Sequence, residues 1–413
     1  MDQQTAASRV TPRYAMKREA ILHAAAQVFN QRGVKGTTLS DVASRVGLST
    51  NSITYYYKKK EDLVVACMLR SIEAINEVIL VAAKAETVDD RVRQFILGFF
   101  RRLAQIQEGN VSEMMTFRDL KILGSPHAEL IFSAYTDMFR RVRKLLVTDG
   151  VRVDNRVSLN ARSHLLLTLT VGAMYWRLRY DPADYELVAA RMSDILIGGL
   201  AGPASAWGPT LIDQALAQAP ETGDPTQEAF LAAATGLINE LGYRGASVDR
   251  ISARLNVTKG SFYHHNPNKE DLISACFERS IAITRHMQLI ARAAQGSGWD
   301  KVCAVSRGLV RYQFTDRGPL LRMSAWTELP DDIREEKLNA INHLGQRFTG
   351  FLVDGMQDGS IRPLDQSLAA QLVSSMINAS VVLGRWVPDV TAENAVELFV
   401  KPLFLGIRSA ERT

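Results

Sequence analysis

Thr38-Leu-Ser-Asp-Val-Ala-Ser-Arg-Val-Gly-Leu-Ser-Thr-Asn-Ser-Ile-Thr-Tyr-Tyr-Tyr57 decides how this chain folds. Thr38 through Asp41 has the form of a capping box, in which a threonine hydroxyl accepts from the free amides of a new helix. Leu39, Val42, Ala43 and Val46 fall on one side of that short helix. Gly47 suits the positive φ of a sharp turn, and Ser49 is placed to cap a second short helix. A helix, a tight turn with a left-handed residue and a second capped helix make a helix-turn-helix pattern. Upstream, Ile21, Ala24, Ala25, Val28 and Phe29 form the apolar face of another helix, which Gly33 ends. Downstream, Lys60-Glu-Asp-Leu63 starts a fourth.

The same pattern occurs twice. Shifted by 209 residues, the sequence meets itself without a gap: Glu19-Ala20 on Glu228-Ala229, Gly33 on Gly242, Gly36 on Gly245, and Lys60-Glu-Asp-Leu63 on Lys269-Glu-Asp-Leu272. Asn256 stands where Gly47 does, Ser247 opens the second short helix, and Thr258 is the second cap. The register continues downstream as Met114 on Met323 and Phe117 on Trp326, while Trp176 and Trp386 differ by one further residue. Helical periodicity runs through nearly all of both copies without strand alternation, so the expected class is all-α. Pro and Gly clusters at Gly202–Pro209 and Pro220–Pro225, with a short helix-like piece between, read as an ordered linker. The expected organisation is a head over 1–62, a helical bundle over 63–202, a linker over 203–224, a second head over 225–271 and a second bundle over 272–413.

The second helix of such a motif presents polar side chains to the major groove of DNA. That surface is Ser49, Thr50, Asn51, Ser52, Thr54, Tyr55 and Tyr56 in the first copy. In the second it is Thr258, Lys259, Gly260, Ser261, Tyr263 and His264, and Thr38, Ser247, Lys60 and Lys269 complete the candidate DNA-contacting set. Tyr57 reads as a core anchor. Residues Val257-Thr-Lys-Gly-Ser-Phe-Tyr-His-His-Asn-Pro-Asn-Lys-Glu-Asp-Leu272 closely resemble the DNA-binding domain of the tetracycline-repressor (TetR) family, and Leu48 through Leu63 resembles it with changes. Thr54 stands where that family generally has a phosphate-contacting tyrosine, Thr50-Asn51 replaces Lys-Gly, and Asn266 replaces an anchoring Phe. The resemblance implies a sequence-specific DNA-binding regulator of double-stranded operator DNA, with a bundle that binds a small inducer and releases the operator. An aromatic or acyl inducer would suit Met114, Phe117, Arg118, His164 and Trp176, or Met323, Trp326 and Trp386. The alternative is an architectural or adaptor protein with one active head and no ligand response.

Charge separates the copies. Residues 9–70 hold 11 Lys and Arg against 4 Asp and Glu, whereas 218–279 hold 6 against 8. Phosphate neutralisation supplies most affinity for DNA, so the first head is the expected strong binder, aided by a basic leader of Arg9, Arg13, Lys17 and Arg18. Catalytic signatures are absent: no His-Glu-x-x-His, Gly-x-Ser-x-Gly, phosphate-binding or dinucleotide glycine loop occurs, and no cofactor or metal is expected. Cys67, Cys276 and Cys303 are odd in number and far apart, which suits a reducing cytoplasm. The polar start and the lack of a long apolar run likewise argue for a cytoplasmic protein away from membranes. The last two helices of each copy, near 157–179 and 184–200 and near 365–386 and 391–408, are long enough for a four-helix interface. Pairing them within one chain would make a monomeric pseudo-dimer, and the rival arrangement is a homodimer of full chains.

Overall fold

The computed structural model describes residues 11–117, 123–147, 156–203, 205–218, 225–242, 245–255, 268–322 and 331–408. The helices of the first copy are α1 Pro12–Arg32, α2 Leu39–Val46, α3 Thr50–Tyr56, α4 Lys60–Ala82, α5 Val88–Gln107, α6 His127–Leu145, α7 Arg156–Trp176 and α8 Tyr185–Gly198. After the linker helix α9 Leu211–Ala217 come α10 Pro225–Leu241, α11 Val248–Leu255, α12 Lys269–Ala293, α13 Gly298–Tyr312, α14 Asp331–Gln357 and α15 Gln366–Ser380. The last helix, α16, runs from Ala392–Ala395 through a π-wound turn at Val396–Val400 into Lys401–Phe404. Among the described residues the β structure is a single bridge, Ala201 with Ile361. The fold is all-α.

The chain divides into two compact units. The first holds the described residues up to Asn76 together with Gln105–Thr136; the second holds Glu77–Ala104 and the described residues from Asp137 onward. In the first unit, Ile21, Leu22, Phe29, Val42, Ile53, Tyr57, Leu63 and Met68 form one core, to which Met115, Leu123 and Ile131 add. A set of side chains fastens the segment after α5 to this core. Asn30 Nδ2 donates to the Met114 carbonyl at 2.8 Å and its Oδ1 accepts from Thr116 N at 2.9 Å. Met115 N donates to Ser71 Oγ at 2.8 Å, and Arg70 joins Glu19 to the Glu113 carbonyl, both at 2.6 Å.

The second copy repeats this fastening inside the second unit. Asn239 Nδ2 donates to the Leu320 carbonyl, Leu321 N donates to Ser280 Oγ, and Arg279 pairs with Glu228. The equivalences correct the downstream register. Leu320, not Met323, occupies the place of Met114, because α13 has 15 residues where α5 has 20 and the following segment is drawn back.

In the second unit α7 is buried on nearly every side, Leu165, Leu166, Leu167, Leu169, Ala173 and Trp176 included. Leucines on adjacent faces place this helix inside a core, with Arg162, Ser163, His164 and Thr170 buried beside them. It packs on α15 and on the π-wound turn of α16, while α8 packs on α15 and the end of α16, so the two copies pair within one chain. The pairing is nearly reciprocal: Leu200 N donates to the Phe404 carbonyl and Ile407 N to the Leu196 carbonyl, both at 2.8 Å. Gly199 and Gly406 lie at this crossing with φ of 72° and 95°, and a Cβ on either would strike the opposing backbone, at Phe404 O and Ile197 O respectively. His164 is buried at the same interface, its ring stacked on Phe399 at 5.4 Å. Nε2 reaches the Ala379 carbonyl at 3.3 Å and Nδ1 the Thr168 hydroxyl at 3.2 Å, a pattern the neutral ring satisfies. Burial pushes its pKa down to about 4.

The described linker segment 205–218 is docked on the second copy. Thr210 and Asp213 form a capping box at the start of α9, which packs on α12 and α13. Arg307 on α13 meets Asp213 through two parallel bonds of 2.8 and 2.6 Å, the side chains only 2% and 6% exposed. Its guanidinium also lies 5.2 Å from the centre of the Trp207 ring. Burial raises the Asp213 carboxyl, but the bonds from Arg307 and from the Thr210 amide outweigh it and hold it below its ordinary value.

Replacing Asp213 by Ala leaves a buried guanidinium without its anion, so urea unfolding should lose about 3–5 kcal/mol. Changing both partners to apolar residues should restore most of that loss. The buried neutral His164 gives a second expectation. An unfolded histidine with the ordinary value of 6.5 takes up a proton before the folded one, whose pKa is about 4. Stability should therefore fall as pH drops from 6.5 to 4, by up to about 3 kcal/mol. A His164→Gln chain should lose that part of the slope in unfolding curves recorded across this range.

Candidate nucleic-acid interface

The first head is set by its caps. Thr38 Oγ1 accepts from Asp41 N at 3.2 Å while Asp41 Oδ2 accepts from Thr38 N at 2.7 Å, closing the box that starts α2. The Thr38 hydroxyl and amide, together with Arg32, hold the Asp41 carboxyl below its ordinary value. Gly47 then takes up the left-handed conformation, φ 72° and ψ 32°, and its N–H closes back on Ala43 and Ser44. Ser49 Oγ caps α3 by accepting from Ser52 N at 3.2 Å. Ile53 and Tyr57 point into the core and fix which side of α3 faces out. Burial raises the Tyr57 phenol to about 12, as befits an anchor.

The outward side of α3 carries Thr50, Asn51 and Tyr55, all exposed, with Ser52, Thr54 and Tyr56 half-buried beside them. Thr54 spends its hydroxyl on the Asn51 carbonyl at 2.9 Å. Tyr55 is 75% exposed, and its ring packs edge-on against Tyr56 at 5.2 Å. Lys58 and Lys59 are exposed just beyond the helix. Lys60 is different. Its Nζ donates to the Val34 and Thr37 carbonyls, both at 3.0 Å, so it braces the turn before α2.

In the second head, Ser247 Oγ accepts from Arg250 N at the start of α11, and Lys269 opens α12 behind the cap Asn268. Thr258, Lys259, Gly260, Ser261, Tyr263 and His264 lie outside the described residues, as do Arg9, Arg118, Met323 and Trp326. Of the residues suggested for a ligand, Met114 is buried in the first unit and Phe117 packs edge-on against Tyr135 at 5.2 Å. His164 and Trp386 belong to the pairing of the two copies, Trp386 stacking on Phe139 at 4.1 Å and accepting from Asn160 through its carbonyl. Trp176 lies 5.8 Å from Phe100, which meets Tyr185 at 6.0 Å. Trp176 Nε1 and the Tyr185 hydroxyl are buried there without a hydrogen-bond partner among the described residues.

Sequence reasoning missed the fastening residues Asn30, Arg70 and Ser71. Their identity with Asn239, Arg279 and Ser280 at the 209-residue shift is the signal that marks them. Among the described residues no helix is long and apolar enough to cross a membrane, and no group of His, Cys, Asp and Glu is placed to hold a metal.

A family model described as bacterial regulatory proteins of the tetR family matches the chain twice, over residues 21–67 and 230–276. The transposon Tn10 TetC protein of Escherichia coli is 24% identical over 155 residues, covering 36% of this chain and 75% of its own. The HTH-type transcriptional repressor KstR2 of Mycolicibacterium smegmatis is 38% identical over 147 residues, 34% of this chain and 59% of the relative. Among solved structures, apo AibR aligns with 43% of this chain and 98% of its own, at 23% identity and a TM-score of 0.36.

The geometry separates bracing from reading. Lys60→Met should lower the melting temperature of the chain, since the Thr37 carbonyl loses the Lys60 ammonium and the Val34 carbonyl keeps only the Thr37 amide, a loss of about 1–3 kcal/mol in all. Asn51→Ala, at an exposed position, should leave stability within about 0.5 kcal/mol. Thermal denaturation of the two variants beside the parent chain checks both.

Proposed function

Taking as premise that the chain is a DNA-binding transcriptional regulator of the TetR family, duplicated in tandem, we propose that it is a ligand-responsive repressor whose first head supplies most of the DNA affinity. The observation that carries this reading is the exposed Thr50, Asn51 and Tyr55 surface of α3, held out from the core by Ile53 and Tyr57. It belongs to a segment with 11 basic residues against 4 acidic, where the matching segment has 6 against 8. Counterion release makes that difference a difference in affinity. Asn51 is the base-reading candidate, since an amide side chain suits the two adjacent hydrogen-bonding groups of adenine. Tyr55, Lys58 and Lys59 are proposed to contact the backbone, which positions the head without reading sequence.

The proposed effector site is the group formed by Phe100, Trp176 and Tyr185. A buried indole N–H and a buried phenol O–H without partners cost about 1–3 kcal/mol each, and an effector bringing acceptor atoms to an aromatic wall recovers that cost. An aromatic or acyl molecule with a carbonyl or carboxylate would supply such acceptors. Release of DNA requires that this molecule bind the two conformations of the protein unequally, typically by about 1–3 kcal/mol. The pairing of α7 and α8 with α15 and α16 inside one chain supports a monomer. With unlike heads, such a monomer would read an asymmetric operator, one half-site well specified and the other tolerant.

Selection of binding sequences from a random DNA pool, with sedimentation of the resulting complex, tests the reading. One chain per site, an asymmetric sequence, and a far larger loss from Asn51→Ala and Tyr55→Ala than from His264→Ala are expected. A dimer of chains on a symmetric site would refute the pseudo-dimer. Retained DNA binding that no aromatic or acyl acid weakens would turn the reading toward an adaptor.

A further inference from the structure

The first turn of α1 carries a group that the helix-turn-helix pattern does not account for. Tyr14 lies with its ring 4.7 Å from that of Tyr56 and 6.3 Å from that of Tyr55, and Tyr55 and Tyr56 are themselves 5.2 Å apart. Three phenols therefore form one cluster joining the start of α1 to the end of α3. Stacking of this kind fixes ring positions and leaves hydroxyls as the outward ends. None of the three hydroxyls has a hydrogen-bond partner among the described residues. The surroundings are cationic. Arg13 and Lys17 flank Tyr14 on exposed turns of α1, and Arg18 lies 5.9 Å from the centre of the Tyr57 ring. The opening of α1 adds the partial positive charge of a 21-residue helix, with no acidic residue in its first turn. Glu19, the acidic residue nearest in sequence, is spent on Arg70.

We propose that Tyr14 is a DNA-backbone contact, its hydroxyl donating to a phosphate oxygen beside the one reached by Tyr55, so that α1 and α3 dock as a single surface. The inference rests on the first head reading DNA and adds to it a residue outside the motif. The ring of Tyr14 sets the position of Tyr55 and Tyr56, and its hydroxyl makes the contact. Because phosphates look alike in every sequence, Tyr14 contributes affinity and no base preference. Thr54, lacking a ring, cannot extend to the backbone from the body of α3, and the tyrosine cluster takes over that task from beside it.

The experiment compares the full chain with its Tyr14→Phe and Tyr14→Ala variants on the sequence the parent selects from a random pool, at one salt concentration. Tyr14→Phe keeps the ring and should bind about 10-fold more weakly, the loss of one hydrogen bond to a charged group. Its selected sequence should match that of the parent. Ethylation of single phosphates should then identify one whose modification weakens the parent and leaves Tyr14→Phe unchanged. Tyr14→Phe binding as tightly as the parent, with only Tyr14→Ala weakened, would reduce Tyr14 to a packing residue and overturn the proposal. A changed base preference in Tyr14→Phe would overturn it as well. A parent chain that selects no sequence at all would instead overturn the DNA-reading head on which it rests.

Discussion

A helix whose leucines occupy adjacent faces cannot be left at a surface, and α7, with Leu165, Leu166, Leu167 and Leu169 all buried, is such a helix. Leu165, Leu166, Leu167 and Leu169 have no solvent-facing side to spare, so α7 must be surrounded. Its own copy covers part of it, and α15 with the π-wound turn of α16 covers the rest. The glycines at 199 and 406 permit the close backbone approach that completes this enclosure.

The linker shows how closely the connection is integrated. Trp299 Nε1 donates to the Ala206 carbonyl, Trp207 Nε1 to Glu397, and Arg307 holds Asp213 from below. Buried ion pairs often add little net stability, yet they tolerate few alternative arrangements and so specify one. Here the specified arrangement seats α9, a helix of only seven residues, on α12 and α13. The fastening of the second head is also denser than that of the first. Arg279 reaches Glu228, the Tyr312 hydroxyl and the Pro319 and Arg317 carbonyls, with its side chain 2% exposed, whereas Arg70 is 20% exposed.

Much of this was legible in the residues. Thr38, Gly47 and Ser49 announced their caps and turn because capping is local chemistry, settled within three or four positions. The two copies were legible because identical residues recur at one spacing. Just beyond α5 the spacing failed, since a helix of 15 residues in place of 20 shifts the segment that follows it, and no local rule signals a lost turn of helix. The role of Lys60 was hidden for a related reason. A lysine in a basic head reads as a phosphate contact until its ammonium is found on the Val34 and Thr37 carbonyls, residues 23 and more positions away. His164 likewise carried no mark of the opposite copy, because its partner Ala379 lies 215 residues along the chain.

The near-reciprocal exchange between Leu196–Leu200 and Phe404–Ile407 has a consequence for how this protein can change. In an assembly of identical chains each substitution enters a two-fold interface twice, once from each side, and a harmful one is doubled. Fusion removes that doubling. Gly199 and Gly406 keep the old symmetry where backbones touch, while His164 faces Phe399 with freedom to answer a single partner. Each copy is thereby released from having to be its own complement, so a trait can be lost from one and retained in the other.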